Sequence, residues 1–346
     1  MKKNIKIGIV TTYDEVNFGA FLQAYSLQKT IINMGYDVEF INYKSLKYRF
    51  AEFLATYKIK NPFYLFKIIL KGLKFRHALQ KMIISKKYFN IYEINKAGYD
   101  IIIFGSDEIW NLNNCLGGII DTYYFGNGIT LKKISYAVSF GSTNYLEDKH
   151  DYIIKLIHEF SHISLRDSNS KKIIDSLNRP DCKIVLDPTL LVEQETTEHI
   201  LKQEYIFYYC FSSNIELDYE LEEFSIKNNL KVISFGYKHD KFESIISIDP
   251  FEWLGYLKKS KYVITDAFHG SVFSTKFKKQ FVVSMTKYRE NKLSSLLDLL
   301  KLRGRIYQKG KLEDILKNEI YYRDIYRILT KLIMDSIDYL NKSIND

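Results

Sequence analysis

Short apolar runs bounded by polar or glycine-containing loops recur along this chain, with segments of helical period between them, and that alternation admits few architectures. Residues 4–11 (N-I-K-I-G-I-V-T) read as a buried strand and 12–18 as a loop. Residues 19–34 read as a helix with Phe21, Leu22, Leu27 and Ile31 on its apolar side, closed by Gly35, and 37–43 as the next strand. Further strands are predicted at 100–104, 134–140, 163–165 and 183–186. Strands separated by helical stretches predict a parallel sheet with helices on both faces.

Pro188 and the acidic stretch 193–198 interrupt the series, and a second one begins at 205–211 (Y-I-F-Y-Y-C-F). Strands follow at 231–235, 262–265 and 281–284, with helices around 251–258, from about Ser271, and near 293–300. A last amphipathic helix is expected over about 322–340, with Ile325, Ile328, Leu329, Leu332, Ile333 and Ile337 at helical spacing. The predicted fold is therefore α/β: two Rossmann-like domains, residues 1–190 and 191–346, facing each other across a cleft. In open α/β sheets the ligand lies beyond the carboxyl ends of the strands, so the loops after the strands are where chemistry belongs.

Charge is concentrated rather than spread. The 346 residues carry a formal net charge of +9. Between Lys44 and Asn90 stand twelve basic residues (Lys44, Lys47, Arg49, Lys58, Lys60, Lys67, Lys71, Lys74, Arg76, Lys81, Lys86, Lys87) against one acidic residue, Glu52. That local surplus exceeds the charge of the whole chain. Aromatic residues interleave it (Tyr48, Phe50, Phe53, Tyr57, Phe63, Tyr64, Phe66, Phe75), and from Pro62 onward Phe63, Phe66, Leu70 and Leu73 recur at helical spacing. A basic aromatic helical insertion at 44–90 has two readings: its aromatic stripe packs on the core with the lysines solvated, or it rests as a peripheral contact on an anionic membrane. No helix-turn-helix, RNA-recognition or zinc-finger signature is present, so no nucleic-acid partner is expected.

A hydrophobic content of 46% is ample for a core and excludes a disordered chain. Cys115, Cys182 and Cys210 are odd in number and widely spaced, which fits a reducing compartment and neither a disulfide framework nor a metal site. The apolar run ending at Thr11 is too short for a signal segment, and no apolar stretch approaches the ~18 residues of a membrane span, so a soluble cytoplasmic protein is expected.

The predicted strand-end loops are rich in polar residues. The first holds Tyr13-Asp14-Glu15-Val16-Asn17-Phe18-Gly19-Ala20; the loop after 100–104 holds Gly105-Ser106-Asp107-Glu108-Ile109-Trp110-Asn111. Arg166-Asp167 follows the strand at 163, and Asp266-Ala267-Phe268-His269-Gly270-Ser271 follows 262–265. A helix starting near Gly270 or Ser271 would aim free backbone N–H groups where His269 faces, a ready anion site. Each feature also has a plainer reading: His269 as a core or capping residue, Arg166 and Asp167 as a local ion pair, and Asp14, Asp107 and Glu108 as helix caps.

Taken together, six of these segments resemble the polysaccharide pyruvyl transferase family. They are Asn17-Phe18-Gly19-Ala20 with Leu22-Gln23, Gly105 to Asn111, Ser139-Phe140-Gly141, Ser164-Leu165-Arg166-Asp167, Leu186-Asp187-Pro188-Thr189-Leu190-Leu191, and Thr265 to Ser274, in family order. The family often has Gln where Glu108 stands and Ser where Ala267 stands. The resemblance implies a GT-B-like fold, phosphoenolpyruvate as donor substrate with no cofactor, and donor contacts at Arg166 and His269.

Such a donor carries a carboxylate and a phosphate, so Arg166 is a candidate for bidentate grip, with His269, Phe268 and the N–H groups of Gly270 and Ser271 on the other anion. His269 is the candidate acid or phosphate ligand; Asp14, Asp107 and Glu108 are the candidate bases. Asn17, Gly19, Glu108, Trp110 and Asn111 are the candidate acceptor contacts; Trp110 either offers a face to a sugar ring or, as is commoner for a Trp beside a strand end, packs in the core. The partner expected is a saccharide, free or lipid-linked, on the side of the first domain. A nucleotide-sugar glycosyltransferase and a non-catalytic sugar- or anion-binding relative are the competing readings.

Overall fold

The computed structural model describes residues 5–44, 62–113, 120–147 and 150–346. The first sheet is assembled from β1 (Lys6–Val10), β2 (Asp37–Asn42), β3 (Ile84–Lys87), β4 (Ile101–Phe104) and β5 (Lys132–Ser135), all parallel, in the order β3-β2-β1-β4-β5. Helix α1 (Phe18–Asn33) joins β1 to β2; α2 (Pro62–Ala78) and α3 (Ile91–Asn95) flank β3. Helix α4 (Asp151–His158) then leads to a short pair, β6 (Ser164–Leu165) and β7 (Lys183–Ile184), around α5 (Ser168–Ser176). Single bridges from Ile134 to His162 and from Val138 to Leu165 join that pair to the sheet. Residues 136–140, predicted as strand, leave β5 through a bend at Tyr136 and Ala137, where Ala137 takes a φ of +51°, and only Val138 bridges to its neighbours.

The second sheet repeats the pattern. Strands β8 (Tyr205–Tyr209), β9 (Lys231–Phe235), β10 (Glu243–Ile245), β11 (Tyr262–Thr265) and β12 (Gln280–Val283) run parallel in the order β10-β9-β8-β11-β12. Helices α6 (Ile215–Lys227), α7 (Pro250–Lys259), α8 (Phe268–Lys276), α9 (Glu290–Leu299), α10 (Leu312–Lys317) and α11 (Tyr322–Asn345) accompany them. Every residue of β4 and β8 is buried, the signature of parallel strands covered on both faces. In each sheet the order reverses beside the first strand, and there the loops after β1, β4, β8 and β11 open toward one another.

Aromatic packing joins the two halves. Phe18 of α1 stacks on Trp253 of α7 at 5.4 Å, and Phe21 and Tyr25 meet Phe251 edge to face. Helix α11 starts against the second sheet, where the Tyr322 hydroxyl donates to the Lys279 carbonyl. It ends on the first half: Leu186 N–H donates to Ser336 Oγ at 3.0 Å, and Lys132 Nζ to the Ser343 carbonyl at 2.9 Å. Among the described residues no helix is long and apolar enough to cross a membrane.

Helix α2 overturns the expectation that its aromatic stripe faces the core. Phe63, Phe66 and Leu73 are 82%, 59% and 54% exposed, whereas Lys71 is 2% exposed. The helix crosses the junction between the halves, and what it meets there is polar as well as aromatic. Lys71 Nζ donates to the Gly236 carbonyl at 3.0 Å and lies over the rings of Phe18 and Tyr237 at 4.5 and 4.3 Å. Burial pulls its ammonium down to about 7. Lys74 pairs with Glu252 at 2.7 Å, and Phe75 packs on Phe18 and Phe21. The remainder of the predicted insertion, with Lys47, Arg49, Lys58, Lys60 and the aromatics at 48–57, lies outside the described residues, as does Cys115.

Candidate active site

The loop after β11 sets the geometry. Thr265 Oγ1 donates to the Tyr209 carbonyl at 2.8 Å and accepts from Ala267 N–H at 3.0 Å, which turns the chain straight from strand into helix. Helix α8 therefore begins at Phe268, earlier than the spacing predicts. Ser271 N–H is already spent on the Ala267 carbonyl, and the Ser271 side chain is buried, so Ser271 offers no donor to a ligand. Phe268, His269 and Gly270 instead supply the first-turn N–H groups, which a helix leaves without intrahelical acceptors. Ala267, as N-cap, has no side chain to take them. Gly270 is needed for packing, since a Cβ there would overlap Thr265 Oγ1.

His269 lies at this helix end with its side chain 10% exposed, its Nε2 3.3 Å from Asp187 Oδ2 but off hydrogen-bond alignment. A Cβ on Gly19 would overlap His269 Nδ1, so the start of α1 can approach the imidazole only through glycine. Arg166 is fully enclosed. Its NH1 donates to Asp187 Oδ2 at 2.8 Å and its NH2 to Asp107 Oδ1 at 3.1 Å, and its guanidinium lies 4.3 Å over the Phe268 ring. Burial opposes the Arg166 charge, but Asp107, Asp187 and Glu108 outweigh it and raise the group above the ordinary arginine range. Burial likewise opposes the Asp187 charge, and His269 and Arg166 hold its carboxyl well below the usual range.

Asp167, the expected neighbour of Arg166 in an ion pair, turns away to cap α5: its Oδ1 accepts from Ser170 N–H at 2.7 Å and its Oδ2 from Ser139 Oγ at 2.6 Å. Both ends of Arg166 are thus committed to carboxylates, and the bidentate grip on an anion expected of it is replaced by alignment of Asp107 and Asp187.

Two cations that the sequence reading did not single out complete the cleft. Arg289 NH1 donates to Asp266 Oδ2 at 3.0 Å, beside the Phe211 ring, and Asp266 also accepts from the Phe211 and Ser212 N–H groups. Lys292 is ion-paired to Glu108. Desolvation alone would raise the Glu108 carboxyl; Lys292 and Arg166, with a 2.8 Å hydrogen bond from Asn111 Nδ2, bring it down to about 2. These groups, with Thr12, Glu15, Asn17, Gly19, Asp107, Arg166, Tyr209, Ala267, Phe268, His269 and Tyr288, line a cleft of about 240 Å³ between the two halves. Arg289, at the N-cap of α9, and Lys292, in its first turn, carry no local motif in the sequence.

Other expected residues take structural parts. Asp14 pairs with Lys44 at 2.8 Å and lines a neighbouring cavity against α2, not the cleft. Trp110 is 0% exposed, stacked on Phe125 at 5.7 Å, with its Nε1–H donating to the Tyr124 carbonyl at 2.9 Å. It is a core residue and offers no face to a sugar, because the loop after β4 folds back over the sheet. Asn17 caps α1, its Oδ1 accepting from Gly19 and Ala20 N–H at 2.9 and 3.3 Å. Asn111 braces the rim, accepting from Thr143 Oγ1 at 3.2 Å and donating to Tyr288 OH at 3.3 Å.

Two Rossmann-like halves with a cleft at the strand-end loops define the GT-B class, and known structures agree. The glycosyltransferase SnogD from Streptomyces nogalater matches over 99% of this chain and 100% of its own, with a TM-score of 0.52 at 8% identity. TarM matches over 99% of each chain, with a TM-score of 0.50 at 12% identity. At such identities the likeness is one of fold alone. No curated protein matches the chain. The family model for polysaccharide pyruvyl transferase, however, matches residues 17–287, and the chain belongs to that family.

Proposed function

We propose that this protein transfers the enolpyruvyl group of phosphoenolpyruvate to two hydroxyls of a saccharide, forming a pyruvate ketal, on a surface polysaccharide or its lipid-linked precursor in the cytoplasm. The observation that carries this reading is the meeting of His269 and the uncapped start of α8 with the buried Asp187–Arg166 pair. The donor has two anionic groups. The first-turn N–H groups of α8 suit its phosphate, and Arg289 stands where it can exchange its carboxylate partner for the donor's oxygens.

His269, held beside ionised Asp187, is the acid that protonates the methylene carbon. The oxocarbenium-like centre formed at the adjacent carbon is stabilised by Asp107 and Glu108. One sugar hydroxyl adds, orthophosphate leaves, and the second hydroxyl closes the ketal. Of the two hydroxyl protons, one balances that taken up by carbon and the other leaves on orthophosphate. Asp107 is the base of choice, since Glu108 is paired with Lys292 and held near 2. Arg166 positions Asp107 and Asp187 rather than touching the donor.

Phosphorus-31 NMR of the protein with phosphoenolpyruvate, a nucleotide sugar and a bacterial saccharide acceptor tests this. Orthophosphate growing at the expense of phosphoenolpyruvate supports the reading; nucleoside diphosphate released instead assigns the cleft to glycosyl transfer. Calorimetry that detects no heat with either donor assigns it to a binding relative.

A further inference from the structure

Helix α2 is packed inside out, and its orientation is fixed. Lys71, Lys74 and Phe75 point into the junction, and Ser247 Oγ donates to the Lys67 carbonyl at 2.9 Å, so the helix cannot roll its apolar side inward. At about 100° per residue, the opposite arc carries Phe63, Phe66, Ile69, Leu70 and Leu73, all exposed, with Arg76 beside them. A contiguous apolar face of this kind on the described surface marks an interaction site.

We infer that this outward face of α2 is a docking surface for an anionic lipid bilayer. Charge selects the occupant. Residues 62–90 contain no Asp or Glu, and the adjoining 45–61 carry four basic residues to one acidic, so that segment and a second copy of α2 would each bring like charge to the face. Lys71 and Lys74 are spent in the junction and Lys81 on Glu195, but Lys67 and Arg76 stay exposed beside the face, and an anionic interface complements them, with the apolar side chains entering the headgroup boundary and these cations remaining among the phosphates. The face runs into a cavity of about 440 Å³ between α2 and the loop after β1, which Ile69, Leu73 and Arg76 help to line, and Glu15 lines both that cavity and the catalytic cleft. If the proposed reaction holds, a saccharide on a lipid anchor would reach the cleft from this side; the docking itself does not depend on it.

The test is co-sedimentation with vesicles of phosphatidylcholine containing about one-third phosphatidylglycerol, against pure phosphatidylcholine. The wild-type protein should partition about 10-fold more strongly to the anionic vesicles and lose that preference at high salt. The double variant Phe66→Ser, Leu70→Ser should lose about 10-fold in partitioning, with an unchanged melting temperature. Hydrogen exchange on wild-type residues 62–78 should slow only when anionic vesicles are added, which keeps the test informative should the variant misfold.

Equal partitioning to both vesicle types overturns the inference. So does a double variant that binds like wild type, a face already protected without lipid, or a dimer that the two serines dissociate. No substrate enters these measurements, so an enzyme inactive with phosphoenolpyruvate could still dock, and a soluble enzyme could still form the ketal.

Discussion

Asp187, in the loop after β7, and His269, in the first turn of α8, meet with Oδ2 and Nε2 3.3 Å apart, while the same Asp187 oxygen accepts from Arg166 NH1 at 2.8 Å. One buried carboxylate therefore serves an imidazole and a guanidinium. Asp187→Asn should reduce kcat by about 10²-fold to 10⁴-fold and destabilise the fold by about 1–3 kcal/mol, because Arg166 keeps only Asp107 as a hydrogen-bonded carboxylate. Arg166→Lys should produce both losses as well, since one ammonium cannot span two carboxylates. Steady-state kinetics with urea titration reads both; an Asp187→Asn enzyme with normal turnover would remove His269 from the role of acid.

Gly19→Ala is the sharpest steric probe of the same site. Its new Cβ would occupy the space of His269 Nδ1 and push the imidazole off Asp187. Activity should fall about 10²-fold, with a far-UV circular dichroism spectrum like that of wild type. If Gly19→Ala retains full activity, the position of His269 does not matter to catalysis.

The Glu108–Lys292 pair predicts an acid-side loss of stability. Glu108 titrates near 2 in the folded protein, below its unfolded value, so its contribution is fully present above the ordinary carboxylate range and is lost as pH falls toward 2. Urea midpoints between pH 6 and 3 should drop less steeply for Glu108→Gln than for wild type, and the variant should already be weaker at pH 7 by about 1–3 kcal/mol. Parallel slopes would contradict the pairing.

Lys71 predicts the opposite trend. Its folded value is lowered to about 7, so burying the charge costs most at and below that pH, and stability recovers as pH rises toward the unfolded value. Lys71→Met should raise stability by about 1–3 kcal/mol at pH 6, with the gain shrinking by pH 9–10. A gain that does not vary with pH would contradict a buried ammonium.

Trp110→Phe should lower stability by about 1 kcal/mol through loss of the hydrogen bond to the Tyr124 carbonyl, and should leave the KM for any saccharide acceptor unchanged. A raised acceptor KM with intact stability would restore Trp110 to the binding surface.

Much of the fold is legible because it rests on local pattern. The runs I-I-I-F at 101–104 and Y-I-F-Y-Y at 205–209 read as strands covered on both faces, and the inner strands of both sheets follow from such runs, whereas the edge strands β3 and β10 carry no comparable run, and β3 falls within the stretch expected to be a helical insertion. What fails locally is whatever the partner decides. The stripe Phe63–Phe66–Leu70–Leu73 has the period of a buried face, yet Lys71 finds a carbonyl and two rings across the junction while the stripe finds none. Arg166 sits next to Asp167 in sequence, but backbone direction sends Asp167 to cap α5 and leaves Arg166 to Asp107 and Asp187. The motifs flag Gly19, Asp107, Arg166 and His269, and the cleft brings them together. Arg289 and Lys292 lack a motif and become visible only once α9 is placed.

The most direct test of the account follows the donor's own carbon. With phosphoenolpyruvate labelled with carbon-13 at its central carbon and a saccharide acceptor, the labelled vinyl resonance should convert to that of a quaternary ketal carbon in step with orthophosphate release. His269→Ala, folded to the same melting temperature, should slow both by at least about 10²-fold. A labelled donor left intact while a nucleotide sugar is consumed, or ketal formation at the wild-type rate without His269, would contradict it.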